Sequence, residues 1–251
     1  MAKYRNPLPR FFPQWVQRRV EVDNYRLYQF MAQAGASLPP EARVLDAGAG
    51  EGKYYDDLAH TRYVGVDLSV GDAAWDYSHL DALADLGNLP FGQGCFDAAI
   101  CTQVLEHVLE PGQVLTELYR VLKPGGQLFL SVPQSWYQHQ KPHDYYRYTS
   151  FGLRYLLEKA GFEVVSIADM GGYFWYLSFT LQHVNHWLFP RGMRGRWLTW
   201  PLRALCGLVF QLALPLLLFP LDKLDHSKDE TFGYTCIAVK PEETETSFLD
   251  A

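Results

Sequence analysis

The sequence predicts an α/β fold: an open, mostly parallel sheet with helices on both of its faces. Three observations predict it. Short apolar runs alternate with amphipathic stretches from Arg43 onward, a glycine-rich turn at Gly48, Gly50 and Gly52 follows the first run, and an acid, Asp67, closes the second. A parallel sheet with crossover helices requires this alternation. At 251 residues, 48% hydrophobic and 15% aromatic, the chain is long and apolar enough to bury one α/β core with room for an insertion.

In order, residues 15–34 read as an amphipathic helix, with Val16, Val20, Leu27, Phe30 and Met31 near helical spacing. Pro39 and Pro40 end the linker that follows. Residues 43–46 read as a strand, 54–59 as a helix and 63–67 as a second strand, before a poorly periodic stretch. Then come a strand at 97–102, a helix at 114–122, a strand at 127–133 and a helix at 151–160. Gly161 ends that helix as the expected left-handed cap. Residues 162–168 form a further strand, and 234–239 the last, after a long apolar interval. The organisation is an N-terminal helical segment (1–40), a core (41–171), an apolar helical insertion (172–232), the final core strand (233–240) and a tail (241–251).

The net charge of −6 argues against a nucleic-acid partner, which calls for a basic face. The charge is uneven. Residues 1–40 hold six basic and two acidic residues, and residues 172–221 hold four arginines (Arg191, Arg194, Arg196, Arg203) with no acid. Two basic segments on an acidic chain suggest a local anionic surface, either lipid headgroups or an acidic substrate; plain solvated charge accounts equally well for the N-terminal set. Cys95, Cys101, Cys206 and Cys236 form no C-x-x-C pair, and the first residues lack a signal-peptide apolar run. A reducing, cytoplasmic setting without disulfides or structural zinc is the expectation.

The densest local signal is the run Val44, Leu45, Asp46, Ala47, Gly48, Ala49, Gly50, Glu51, Gly52. Glycine lets the backbone turn sharply and approach a ligand where a Cβ would clash. Dinucleotide enzymes space these glycines G-x-G-x-x-G to hold a pyrophosphate. Here the spacing is G-x-G-x-G and a carboxylate precedes it. That acid would repel a pyrophosphate but suits an amino-acid ammonium, so the favoured ligand is a nucleoside carrying a cationic amino acid. Asp67 lies nineteen residues after Gly48, at a strand end, where a carboxylate can accept ribose hydroxyls.

With Asp46 to Gly52 and Asp67, the runs Asp85-Leu86-Gly87-Asn88-Leu89-Pro90-Phe91, Phe96-Asp97, Leu105-Glu106-His107-Val108 and Arg120-Val121-Leu122-Lys123-Pro124-Gly125-Gly126 follow in order. Over roughly residues 43–165 the chain resembles the class I S-adenosylmethionine (SAM)-dependent methyltransferases, type 11-like branch. The resemblance implies a Rossmann-like seven-stranded sheet with an antiparallel last strand, and SAM as cofactor across the carboxyl ends of the strands. It implies that Asp46, Gly48 and Gly50 line the methionine part, that Asp67 takes the ribose, and that Asp85 and Leu86 flank the adenine. Gln103 would face the transferred methyl, and Leu68 completes the cofactor set. Asp97 and the turn at 123–126 would be architectural.

Methyl transfer from a sulfonium is an in-line displacement, so the protein must position the nucleophile and remove its proton if it is neutral. Two groups could supply the base: Gln103, Glu106 and His107 after the fourth strand, and the stretch 142–149 after the fifth, rich in His and Tyr. His143 is the candidate base, with Tyr145 and His107 as further catalytic candidates; for Glu106 and His107 packing and capping are the plainer roles. Some relatives, the ubiquinone-pathway and small-RNA 2′-O-methyltransferases, use E-x-x-E-H to hold a divalent ion, with a further His in the RNA enzymes; here Glu106 and His107 end the run and His143 lies downstream. Gln103 replaces the first Glu here, removing a charged ligand, so no metal is expected.

Residues 173–189 are aromatic-rich but interrupted by Gln182, His183, Asn185 and His186, and residues 204–221 are eighteen without charge. Spanning a bilayer takes about 20 apolar residues. Because 234–239 must return to the same sheet, a single crossing is excluded. A monotopic arrangement of 173–221 on the inner face of the membrane is the expectation, with Arg191, Arg194, Arg196 and Arg203 among headgroups and Trp187, Trp197 and Trp200 at the interface. A lid packed on the core, or a homodimer interface, is the alternative. The expected activity is O-methylation of a small-molecule, apolar, lipid-linked or isoprenoid/glycan-type substrate; a non-catalytic SAM-binding or membrane-scaffold protein and a nucleotide-linked oxidoreductase are the competing readings.

Overall fold

The computed structural model describes residues 12–71, 75–189 and 198–242. Arg191, Arg194, Arg196 and Trp197 of the expected membrane face, and Lys3, Arg5 and Arg10, lie outside these residues. The described residues divide into two compact units, one within 30–168 and 234–242, the other within 12–29 and 169–233.

The first unit is built on seven strands: β1 (Arg43–Ala47), β2 (Arg62–Asp67), β3 (Ala82–Leu83), β4 (Phe96–Thr102), β5 (Leu122–Pro133), β6 (Glu163–Asp169) and β7 (Gly233–Val239). Their order is β3-β2-β1-β4-β5-β7-β6. The pairs β1–β2, β1–β4, β2–β3 and β4–β5 are parallel. Along β7 the partners run backwards: Lys240 exchanges backbone hydrogen bonds with Gly125 and Gly126 at the start of β5, while the Tyr234 hydroxyl reaches Gln134 beyond its end. The last strand is therefore antiparallel, as the resemblance implies.

Strand alternation sends side chains to both faces. Leu45, Ala47, Ala99, Cys101, Leu128, Leu130 and Val132 join one buried cluster with Val114, Leu115 and Leu118 of α3 (Pro111–Val121) and Leu153 and Leu157 of α4 (Ser150–Lys159). On the opposite face Phe30 of α2 (Val22–Ser37) meets Phe129 edge to face. A register shift between Phe96 and Ala98 lets Phe96 share the first face with Ala99 and Cys101. Pro111 opens α3, where its missing N–H costs nothing. Thr149 caps α4 by accepting from Gly152 N, and Gly161, at φ +99°, ends the turn after it.

Two expectations need correction. The helix expected over 54–59 is a single 3₁₀ turn, Asp56–Leu58. Only nine residues separate Gly52 from β2, too few for a helix and both of its connections. The single N-terminal helix is two, α1 (Gln14–Val20) and α2, interrupted at Glu21.

In the second unit, α5 (Tyr173–Gln182) and α6 (Val184–Leu188) precede a continuous helical stretch, Trp200–Leu224, long and apolar enough by length and composition to cross a membrane. It comprises α7 (Trp200–Cys206), a π-helical segment (Gly207–Ala213), α8 (Leu214–Leu221) and a final 3₁₀ turn. Pro215 cannot donate to the carbonyl one turn back and its ring crowds that carbonyl, so the preceding turns open. Trp175 of α5 stacks on Phe219 of α8 and donates its indole N–H to the Phe219 carbonyl. Buried Asp222 accepts from the backbone N–H of Gly172 and Trp175 at the start of α5 and pairs with Lys228.

Candidate active site

β1 and β2 run parallel with Ala47 opposite Val66, so Asp46 and Asp67 emerge at the same end of neighbouring strands. The turn between them is fixed by its own backbone. Gly48 N and Ala49 N both donate to the Val66 carbonyl, and Gly50 N donates to Asp67 Oδ2 at 3.0 Å. Asp67 Oδ1 accepts from Ser69 N, leaving the carboxylate half-buried. Gly48 sits at φ +83°, and a Cβ there would lie 2.4 Å from Val104 Cγ2. Gly50, at φ +54°, lies under the Trp75 ring.

Asp46 is 2% exposed, and Tyr63 on β2 donates its hydroxyl to Asp46 Oδ2. Burial pushes the Asp46 carboxyl up to about 7, against the pull of that hydrogen bond and helped by the nearby Asp67 charge. Asp85, exposed, accepts from Gly87 N, and Leu68 is exposed beside Asp67. Leu86 is turned into the core cluster, so only its backbone is left to meet a ligand. Gln103, just after β4, adopts φ +56°, an unusual conformation for a residue with a Cβ. Its backbone N–H and side-chain Nε2 both donate to Ser131 of β5.

The stretch after β5 folds over the turn at 105–107. Tyr145 and Tyr146 donate their backbone N–H groups to the Glu106 carbonyl, and the buried Tyr148 hydroxyl donates to the Leu105 carbonyl. His143, exposed, lies 3.0 Å from the Tyr145 hydroxyl through Nδ1, and its carbonyl accepts from His107 Nδ1. The three residues with expected catalytic roles are thus joined in one chain of contacts.

Sequence reasoning missed one participant, His139, and left the contacts of Asp144 and Glu106 open. His139 brings its Nε2 to 3.1 Å from His107 Nε2. Asp144 takes the His139 backbone N–H and a two-pronged contact from Arg147, whose guanidinium holds the carboxyl well below the usual range. Glu106 is fully buried, and among the described residues no hydrogen-bond donor from another residue reaches its carboxyl group. Burial pushes it up to about 8, and burial pushes the His107 imidazole down. The expectation of no metal rested on Gln103; His139 changes the set of available ligands.

Residues 45–130 match the type 11 family described as a methyltransferase domain. Over 139 residues, 51% of this chain and 54% of the relative, the sequence is 31% identical to a protein of Mycolicibacterium smegmatis described as a probable S-adenosylmethionine-dependent methyltransferase. It is 36% identical over 104 residues to the ubiquinone biosynthesis O-methyltransferase of Dechloromonas aromatica, covering 36% of this chain and 44% of that one. The chain thus spans about half of these relatives or less. Among solved structures it resembles the Burkholderia thailandensis 1,6-didemethyltoxoflavin-N1-methyltransferase, bound there to S-adenosylhomocysteine, with a TM-score of 0.53 and 19% identity over 90% of this chain and 82% of that one. Residues 45–130, set in a Rossmann-like seven-stranded sheet and carrying the ordered motifs, thus match a methyltransferase domain of the S-adenosylmethionine-dependent kind.

Proposed function

We propose that the chain transfers the methyl group of SAM to an oxygen of an apolar, lipid-linked or isoprenoid/glycan-type acceptor. The observation that carries this reading is the placing of Asp46 and Asp67 at one end of adjacent parallel strands, with the glycine turn between them. There Asp67 would accept the ribose hydroxyls, with Leu68 beside it. Asp46 would face the ammonium, while Gly48 and Gly50 let the methionine part approach the backbone. Asp85 and the Leu86 backbone would border the adenine, and Gln103, held by Ser131, would face the methyl.

In this reaction the acceptor oxygen bonds to the methyl carbon as the carbon–sulfur bond breaks, and the sulfur keeps the electron pair as S-adenosylhomocysteine. The acceptor's proton goes to His143. In the tautomer that donates Nδ1–H to the Tyr145 hydroxyl, His143 has its Nε2 lone pair free for that proton. His107 positions His143 through the carbonyl contact.

Support for an apolar acceptor comes from the second unit. Leu202, Leu205, Leu208, Leu217, Leu221 and Leu224 are exposed along the helical stretch, and Trp187 and Trp200 are about two-thirds exposed. Such a surface suits peripheral contact with the cytoplasmic face of a membrane. The test is twofold. Asp67→Ala should abolish SAM binding in calorimetry, and labelled methyl from SAM should enter the membrane lipid pool of fractionated cells. Unchanged SAM affinity in the variant overturns the cofactor assignment, and label confined to the soluble pool overturns the acceptor class.

A further inference from the structure

Beside the glycine turn lies a second cluster, assembled from Glu106, His107 and His139, whose ligating atoms all lie within 4.8 Å of one another. Its protonation pattern is set from outside. His107 Nδ1 faces the His143 carbonyl, which can only accept, so Nδ1 carries the proton and Nε2 a lone pair. His139 Nδ1 faces the Tyr137 carbonyl at 3.3 Å and Asp144 Oδ2 at 3.5 Å, two more acceptors, so its Nε2 also carries a lone pair. The two Nε2 atoms nevertheless point at each other across 3.1 Å. Glu106 adds its Oε1, 3.7 Å from His107 Nε2, from a carboxylate that is wholly buried and accepts no hydrogen bond from another residue. Two imidazole nitrogens and a buried carboxyl group thus converge on one point.

Such a set calls for a cation. The outer contacts are those that orient metal-ligating histidines: a backbone carbonyl behind one ring and a carboxylate behind the other. Asp144 is itself fixed by Arg147. We propose that Glu106, His107 and His139 bind a divalent ion of the borderline class, such as Zn²⁺, Co²⁺ or Fe²⁺. Two imidazoles and one carboxylate suit these ions, whereas Mg²⁺ and Ca²⁺ want an all-oxygen shell. Gln103 brings no charge to the ion, and its amide Nε2 is held by Ser131 Oγ. The ion does not depend on the methyl-transfer reading.

The test uses the full chain, stripped with chelator and titrated with Co²⁺ while the visible d–d absorption is followed. One Co²⁺ per chain should produce a band that Zn²⁺ displaces and equal Mg²⁺ does not. His139→Ala, a half-buried loop position, should remove the band and weaken binding by at least about tenfold, the loss seen even for outer-contact variants. Gln103→Ala should leave it intact. Circular dichroism checks that His139→Ala still folds, and His107→Gln serves as the second ligand variant. No band in the wild-type chain, a band that survives both histidine variants, or equal displacement by Mg²⁺ would overturn the proposal.

Discussion

The hydroxyl of Tyr63 on β2 donates a 2.8 Å hydrogen bond to Asp46 Oδ2 on β1, across the seam that carries the glycine turn. That bond favours the carboxylate, while burial opposes it and wins, leaving the group poised at about 7. Only the ionised form attracts an ammonium. SAM affinity should therefore rise about tenfold between pH 6 and pH 8, following the ionised fraction. Tyr63→Phe removes the stabilising donor and should move the rise to higher pH, whereas Asp46→Asn should abolish it. Calorimetry at stepped pH reads all three; a flat profile in the wild-type chain excludes Asp46 as the ammonium partner.

The same shift predicts how the ligand-free protein responds to pH. The folded-state value of Asp46, about 7, lies above the ordinary carboxyl value of 3.8, so the folded state binds this proton more tightly than the unfolded one. Its contribution is fully present below the unfolded value and is lost as pH rises through the folded one. Between pH 4 and pH 7 it should cost about 3 kcal/mol of stability, at about 1.4 kcal/mol per unit and less near either end of the window. Denaturant melts of wild type and Asp46→Asn should show a slope over that window in the first that is shallower in the second.

Gly48 is the position of the turn least able to accept a side chain. Gly48→Ala places a Cβ 2.4 Å from Val104 Cγ2 and 2.7 Å from Val104 Cγ1, at a φ of +83°. A destabilisation of about 2–3 kcal/mol is expected, with loss of SAM binding. Pairing it with Val104→Ala relieves the contact but not the dihedral, so the double variant should recover only part of the stability. Full additivity in a double-mutant cycle would show that the clash plays no role.

How much of this was legible follows from the range of each signal. The strands at β1, β2, β4, β5 and β7 are short apolar runs whose pattern is local, and the sequence locates them within a few residues. β3, two residues long, has no periodicity to read. The helix expected after the glycine turn failed because chain length, not apolar pattern, limits that segment. Asp46, Asp67 and Gln103 could be located because each sits at a strand end in a motif. His139 could not: it lies 32 residues from His107, and only the fold over the 105–107 turn joins them. A third histidine four residues before His143 was the signal available. Trp75 and Tyr63 reach the site from stretches with no motif, so their side chains became visible only with the backbone path.

Arg147 holds the stretch after β5 by two contacts to Asp144 and by donating to the Trp136 and Tyr137 carbonyls. Asp144 is nearly buried, its side chain 4% exposed. Arg147→Ala would strand that carboxylate without its counter-charge, and a loss of about 2–3 kcal/mol is expected, moderated by the partial exposure of Arg147. Arg147→Lys keeps the charge but not the forked geometry and should recover only part of it. Thermal melts of the two variants, with limited proteolysis between residues 134 and 149, distinguish this from a surface pair, for which neither change would matter.

The exposed leucines of the second unit supply the last prediction. Leu205 and Leu217 are 56% and 65% exposed on a stretch that carries Arg203 as its single charge between Trp200 and Leu221. Inserting one leucine into an acyl region is worth about 1.5–3 kcal/mol, and a nearby cation adds about 1 kcal/mol at an anionic surface. Leu205→Glu with Leu217→Glu should therefore cut co-sedimentation with phosphatidylglycerol vesicles more than tenfold. High salt should weaken binding of the wild-type chain only in part, because the apolar share is not screened. Both positions are solvent-facing, so the double variant should keep its melting temperature and its SAM affinity. If vesicle binding is unchanged while a wild-type dimer becomes a monomer in the variant, the leucine face joins two copies of the chain and the membrane reading falls.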